Sequence, residues 1–174
     1  MKVVNAIVTG PPANGKSAFI KSLSEYVFET PEQIAVGKSG KAYKIEFGRT
    51  KIGPDFFFYL VGVPGDEDFQ FVWERLADGL LGFVVLFDAK TRAHMGETKE
   101  MIRRLKNLTD TPFVVFLNKL ENRQSPEAAE LKKELGIARE EQVICGHVTD
   151  RADAKQALVA LFNIGIKQLK KVSA

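Results

Sequence analysis

The sequence predicts an α/β protein: a six-stranded, mostly parallel sheet with one antiparallel edge strand, flanked by about five helices. Three observations lead there. Strand-like and helix-like patterns alternate along the chain. Two strand patterns, "GFVVLFDA" at 82–89 and "TPFVVFLNK" at 111–119, are almost continuously apolar, as strands buried on both faces are. One pair, 42–52 and 55–63, is separated only by a Gly-Pro turn and reads as an antiparallel hairpin.

The elements follow in order. "VVNAIVTG" (3–10) is β-branched and ends in glycine. "KSAFIKSLSEYVF" (16–28) sets Phe19, Ile20, Leu23, Val27 and Phe28 at helical spacing. Residues 29–41 are polar and punctuated by Gly and Pro, and read as a loop. The first hairpin strand alternates Tyr43, Ile45 and Phe47 against Lys44 and Glu46, so one of its faces is expected to be exposed. Helices are expected over 67–81, 96–108 and 150–171. Another, over 125–136, starts with a serine cap and a proline at its first position and ends in glycine. "EQVICG" (141–146) is a short strand. No repeat, linker or low-complexity tract divides the 174 residues, so one domain over 1–174 is expected.

Composition excludes several classes. Apolar residues make up 45% and charged residues 27%, ordinary for a soluble globular protein. A net charge of +3 is too mild for a nucleic-acid stripe, so no nucleic-acid partner is expected. The single cysteine, Cys145, rules out an internal disulfide and fits a reducing, cytoplasmic setting. The N-terminal apolar stretch is too short for a signal peptide. The longest apolar run, "LLGFVVLF", has strand length, and neither end carries a lipidation motif. No direct membrane anchor is expected.

"GPPANGKS" (10–17) is Gly, four residues, then Gly-Lys-Ser, placed between a strand and a helix. That is the spacing and context of a phosphate-binding loop. Gly10 and Gly15 let the backbone curl so that successive N–H groups converge on phosphate oxygens. Lys16 brings an ammonium to the β- and γ-phosphates, and the Ser17 hydroxyl is a ligand for Mg²⁺. Pro12 has no N–H, so the donors must come from Ala13, Asn14, Gly15, Lys16, Ser17 and Ala18. Asn14 tolerates unusual backbone angles and is expected to provide one.

A second motif names the base. "FVVFLNKLE" (113–121) is a buried strand ending in Asn118-Lys119-Leu120-Glu121, which resembles the Asn-Lys-x-Asp box of GTP-binding proteins. The resemblance implies that Glu121 accepts hydrogen bonds from guanine N1–H and the 2-amino group, donors that adenine lacks. It implies that Asn118 braces the loop and that the Lys119 stem packs on the base. Glu121 is one methylene longer than the aspartate of that box. The next strand ends at Cys145-Gly146-His147, where GTPases present a backbone N–H to guanine O6, so Gly146 and His147 are placed beside the base. Cys145 reads as a small core residue and Asp88 as the cap of the loop it precedes.

The stretch "YLVGVPGDEDFQFVW" (59–73) follows the hairpin. In Ras-like GTPases that position holds Asp-x-x-Gly, often followed by Gln. Here Gly62 stands at the Asp position, Gly65 is kept, and Asp66 stands at the Gln position. Together with "IEFGRTKI" and "VTDRADAKQALVALF", the stretch resembles a group of bacterial and archaeal small GTPases related to polarity and gliding-motility GTPases. The resemblance runs over nearly the whole chain, with degenerate switch motifs. It implies a P-loop, Ras-like fold that binds GTP or GDP with Mg²⁺ and a regulatory or effector partner of the roadblock type.

For the chemistry, the resemblance implies that Lys16 and the Gly65 N–H serve the γ-phosphate and that Asp66 stands near the attacking water. Asp66 carries charge but cannot donate a hydrogen bond as Gln does. Ser39 is the hydroxyl nearest the place of the usual switch threonine and a second candidate metal ligand beside Ser17. Arg49 reads as a surface-strand residue. The leading expectation is a slow GTPase switch whose loops at 30–42 and 62–70 respond to GTP. The alternative is a nucleotide-binding interaction module with little hydrolysis. An ATP-using kinase would leave the Asn118-Lys119 box unexplained.

Overall fold

In the computed structural model, residues 2–29, 35–36, 38–40, 42–43, 45–76, 79–108 and 110–172 are described. Among these described residues nine strands and five α-helices follow one another. They are β1 (Lys2–Thr9), α1 (Lys16–Leu23), β2 (Tyr26–Glu29), β3 (Ala35–Val36), β4 (Ala42–Tyr43), β5 (Glu46–Ile52) and β6 (Phe56–Gly62). Then come α2 (Gln70–Leu76), β7 (Leu80–Asp88), α3 (Met95–Leu108), β8 (Phe113–Asn118), α4 (Pro126–Glu134), β9 (Val143–Gly146) and α5 (Arg151–Val172). Seven strands form one mixed sheet in the order β2-β5-β6-β1-β7-β8-β9, while β3 and β4 pair separately.

The parallel part behaves as its apolar runs predict. Along β7, Phe83, Val85 and Phe87 enter one core while Val84 and Leu86 enter the other. Trp73 of α2, Met101, Ile102 and Leu105 of α3, and Leu131 of α4 close the first face. Phe19, Ile20 and Leu23 of α1 and Ala157, Leu158 and Leu161 of α5 close the second. With no polar alternation on either side, such strands are stable only between two helical layers.

The sheet departs from expectation at its hairpin side. It has seven strands rather than six, and the extra one is β2, inside the span expected to continue the first helix. That helix stops at Leu23: Ser24 is extended (φ −80°, ψ 138°) while its N–H still donates to Ile20 O. Val27 and Phe28 fit helical spacing and strand alternation equally well, and pairing decides between them. Tyr26–Glu29 lies antiparallel to β5, from Tyr26↔Arg49 to Glu29↔Glu46. The antiparallel strand is therefore β5, but β2 rather than β5 forms the edge. The strand expected over 42–52 splits, with Ala42–Tyr43 in the small ladder and Glu46–Ile52 in the main sheet. The helix expected over 67–81 is a 3₁₀ turn at Glu67–Phe69 followed by α2, and β7 already begins at Leu80.

One consequence of this topology sets up the site. Since β5 runs against its neighbours, its first residue lies at the end of the sheet where β1 and β6 finish. Glu46 is in register with Gly62. Gly62 is in turn in register with Val8 of β1.

Candidate functional site

The loop between β1 and α1 is a tight, glycine-dependent cradle. Gly10 lies against β7: a Cβ there would be 2.7 Å from Leu86 O. Gly15, at φ 92°, is left-handed, and its Cβ would be 2.9 Å from Val148 Cγ2. The other left-handed residue is Ala13 (φ 59°), not Asn14 as expected. Closing the loop fixes which position is left-handed, whatever the tolerance of the side chain. Asn14 works through its side chain instead. It is buried, and Nδ2 donates to Leu86 O at 3.4 Å.

Lys16 opens α1, and its Nζ donates to Gly10 O (2.8 Å) and Pro11 O (2.9 Å). Burial pulls its ammonium down to about 8, while the charges of Asp66 and Glu46 work in the opposite direction. A cleft of about 380 Å³ opens in front of it, lined by Gly10, Pro12, Lys16, Ser17, Glu46, Gly62, Pro64, Gly65 and Asp66. The cradle and the loop after β6, recognised separately in the sequence, thus face one cavity. They are also in contact, for a Cβ on Gly65 would be 2.9 Å from Gly10 O. The Gly65 carbonyl accepts a hydrogen bond from Arg104 Nη2 of α3 at 3.0 Å. Arg104 lies over the Trp73 ring, 5.5 Å from its centroid. Ser39 is elsewhere: its hydroxyl donates to Asp68 Oδ2, and it does not line the cleft. Arg49 faces away from Glu46 and stacks over Tyr26 and Phe57.

The second motif is assembled from side chains. Asn118 ends β8 and is buried, and its Oδ1 accepts from Val148 N–H at 3.1 Å. Its Nδ2 is 3.5 Å from the place a Cβ on Gly15 would take, so Asn118 ties the last loop to the phosphate cradle. Lys119 turns the chain in a left-handed conformation (φ 67°), and its N–H donates to Gly146 O at 2.9 Å. Its ammonium pairs with Asp88. Asp88 also caps the following turn by accepting from Lys90 N–H (2.9 Å) and Thr91 N–H (3.1 Å). Burial pushes the Asp88 carboxyl up, but Lys119 and these two N–H groups outweigh it and hold the carboxyl below the usual range.

Glu121 is 85% exposed and reaches His147 Nε2 at 3.4 Å, so the two residues placed beside the base do meet. The His147 N–H donates to Asp153 Oδ2 (2.9 Å). Gly146 must be glycine, because a Cβ would stand 2.6 Å from the Asp153 carboxyl. Burial lifts the Cys145 thiol to about 11, which leaves it a packing residue rather than a nucleophile.

Sequence reasoning missed Glu46, Arg104, Val148 and Asp153. Glu46 was legible by counting. With Gly53–Asp55 as the hairpin loop, six residues back along β5 and six forward along β6 lead to Glu46 and Gly62. Arg104 and Val148 meet their partners through long-range contacts with no local signal, and Asp153, six residues from His147, belongs to no motif.

The comparisons with known proteins bear on this geometry. The family model of the elongation factor Tu GTP-binding domain matches residues 1–169. The chain belongs to that family. A similar solved structure is the small COPII coat GTPase Sar1 of Encephalitozoon cuniculi, an ADP-ribosylation-factor-like GTP-binding protein in complex with GDP. Identity is 18%, the match covers 98% of this chain and 83% of that one, and the TM-score is 0.66. At that identity the likeness is one of fold, the P-loop GTPase fold with its mixed sheet. This GTP-binding domain has, among its described residues, no helix long and apolar enough to cross a membrane.

The donors around the cleft suit the Mg²⁺ that accompanies nucleoside phosphates. Ser17 brings a hydroxyl, and Glu46 and Asp66 bring carboxylates, all hard oxygen ligands. Among the described residues no group of three or more His, Cys, Asp or Glu side chains is disposed to hold a metal alone. Phosphate oxygens would have to complete the coordination, as is usual for Mg²⁺.

Proposed function

We propose that this GTP-binding domain is a guanine-nucleotide switch that binds GTP and GDP with Mg²⁺ and hydrolyses GTP slowly. The observation that carries the reading is Asn118. It bonds the loop after β9 and stands against Gly15, joining the base box to the phosphate cradle as one site. In this reading the amides of Ala13 to Ala18 and the Lys16 ammonium hold the phosphates, and Glu121 accepts from the guanine edge. Gly146 and His147 flank the base, and the Gly65 N–H reports the γ-phosphate. Ser17 is a ligand to Mg²⁺, which would offset the charge of the phosphates. Ser39 joins as a metal ligand only by leaving Asp68.

Slow chemistry follows from the residues at the loop after β6. Gly62 offers no carboxylate, and Asp66 accepts hydrogen bonds from a water without donating one to the γ-phosphate. The same two residues favour a second reading, a nucleotide-binding interaction module that barely hydrolyses. The resemblance to roadblock-associated GTPases supports a small regulatory protein as partner in either case. The test is calorimetry with GTP and ATP under saturating Mg²⁺, followed by single-turnover phosphate release. A preference for GTP with release over minutes to hours supports the switch. Tight GTP binding without release, with or without a roadblock-type protein, supports the module. Equal affinity for ATP removes both.

A further inference from the structure

We propose that Arg104 of α3 is a positioning residue for the γ-phosphate contact: it holds the Gly65 peptide in place and thereby sets the preference for GTP over GDP. The inference rests on the nucleotide-site reading above and adds a residue from a helix that takes no part in lining the cleft.

Glycine has the widest backbone freedom of any residue, so a donor N–H carried by glycine has to be ordered before it can serve. Pro64 fixes its own φ and leaves the glycine after it free to turn. Packing takes up part of that freedom. A Cβ on Gly65 would stand 2.9 Å from Gly10 O, so the residue lies against the phosphate cradle. A hydrogen bond takes up more of it: Arg104 Nη2 donates to the Gly65 carbonyl at 3.0 Å. In the proposed function the γ-phosphate meets the N–H of that same residue. GDP has no group there, so ordering Gly65 in advance favours GTP alone.

Arg104 is costly where it stands, which marks it as more than a packing residue. Its Nε and Nη1 are buried, and among the described residues neither has a hydrogen-bond partner. The guanidinium lies over Trp73, whose indole N–H is also buried without a partner among the described residues. Both side chains only donate, so neither satisfies the other. Glu100 is the carboxylate that feels the Arg104 charge, but it is bonded to Arg103 through both oxygens, at 2.9 and 2.5 Å. Among the described residues, the acceptor that Arg104 finds is the Gly65 carbonyl. A methionine here would pack against Trp73 without burying donors. Replacing a buried charge by an apolar side chain of similar volume is often neutral or stabilising. Stability therefore gives little reason for a guanidinium at this place, and its bond to the loop after β6 gives one.

The experiment is competition binding in excess Mg²⁺, in which GDP and a non-hydrolysable GTP analogue each displace a fluorescent GDP. It is run on the wild-type chain, Arg104→Met and Arg103→Met. A hydrogen bond to a charged group is worth about 10–100-fold in an equilibrium. Arg104→Met should bind the GTP analogue about 10-fold more weakly or worse. Its GDP affinity should stay at the wild-type value, which also shows that the variant is folded. Arg103 is exposed, pairs with Glu100 and sits on the same helix, so Arg103→Met should keep the wild-type ratio of the two affinities. Should Arg104→Met not fold, Arg104→Gln takes its place. Its amide stops short of Gly65, and the same fall is expected. An Arg104 variant with the wild-type ratio overturns the inference and leaves Arg104 a structural residue. An Arg103→Met chain that loses the ratio equally also overturns it, because the charge of α3 would then be the cause. A wild-type chain that takes up neither nucleotide removes the functional reading, and this inference with it. Normal uptake of both with an unchanged ratio in the Arg104 variant removes this inference only.

Discussion

The two halves of the proposed nucleotide site are held by different means. At the phosphate end the geometry is in the backbone: Gly10 and Gly15 allow approaches that a Cβ would block, and Ala13 accepts a left-handed angle. At the base end it is in side chains: Asn118 to the Val148 N–H, Lys119 to Asp88, Asp153 to the His147 N–H. Backbone amides recognise any phosphate and make for affinity, whereas side-chain acceptors recognise one base and make for choice. Damage at the first end should abolish binding, and damage at the second should blur it.

The largest test of that division is Lys16→Ala. Two charge-assisted contacts, each worth about 1.5–3 kcal/mol, are lost, so GDP and GTP affinity should fall by about 100-fold or more. Calorimetry that finds near-wild-type affinity would contradict the assignment of the phosphate end. Glu121→Ala should act differently, leaving triphosphate binding in place while the preference for GTP over ATP falls by about 10–100-fold, the worth of one charged acceptor. Unchanged discrimination in competition binding would remove Glu121 from the base.

Asn118→Ala should show that the two ends are linked. It strands the Val148 N–H in a buried place, which costs about 1–3 kcal/mol. Urea unfolding of the nucleotide-free chain should reveal that loss, and an unshifted midpoint would mean that the last loop does not depend on Asn118.

The smallest effect is a proton. Without ligand, the Lys16 ammonium lies at about 8, below its ordinary 10.5. Folding therefore disfavours the charged form, and the stability of the nucleotide-free chain should rise as pH climbs from about 8 toward 10.5. Phosphate restores the charge. At pH 8 GDP binding should take up about half a proton, and at pH 6 almost none from this group. The dependence of binding enthalpy on buffer ionisation reads that number, and no uptake at pH 8 would place the lysine charge elsewhere.

What was legible in the sequence follows the same divide between local and distant. The loop from Gly10 to Ser17 and the box from Asn118 to Glu121 are contiguous, and each needs its residue types at fixed spacing whatever surrounds it. The buried strands at β7 and β8 were plain because two covered faces leave no place for polar alternation. The strand β2 was hidden because Val27 and Phe28 satisfy two periodicities. Only the need of β5 for a neighbour separates them. The left-handed position went to Ala13 rather than Asn14 because loop closure outranks residue preference. Arg104 reaches Gly65 across 39 positions of chain, a contact that only packing creates.

The brevity of β2 has a bearing on how the molecule behaves in a crowd. It covers β5 from Glu46 to Arg49 and leaves residues 50–52 as an open rim before the turn at 53–55. Bare rims of backbone invite another chain to add a strand and seed aggregates. This one is three residues long, carries the exposed cation Lys51, and ends on Gly53-Pro54. It is too short and too charged to template its own kind, so what edge this side of the sheet keeps, among the described residues, is the four-residue strand β2 itself.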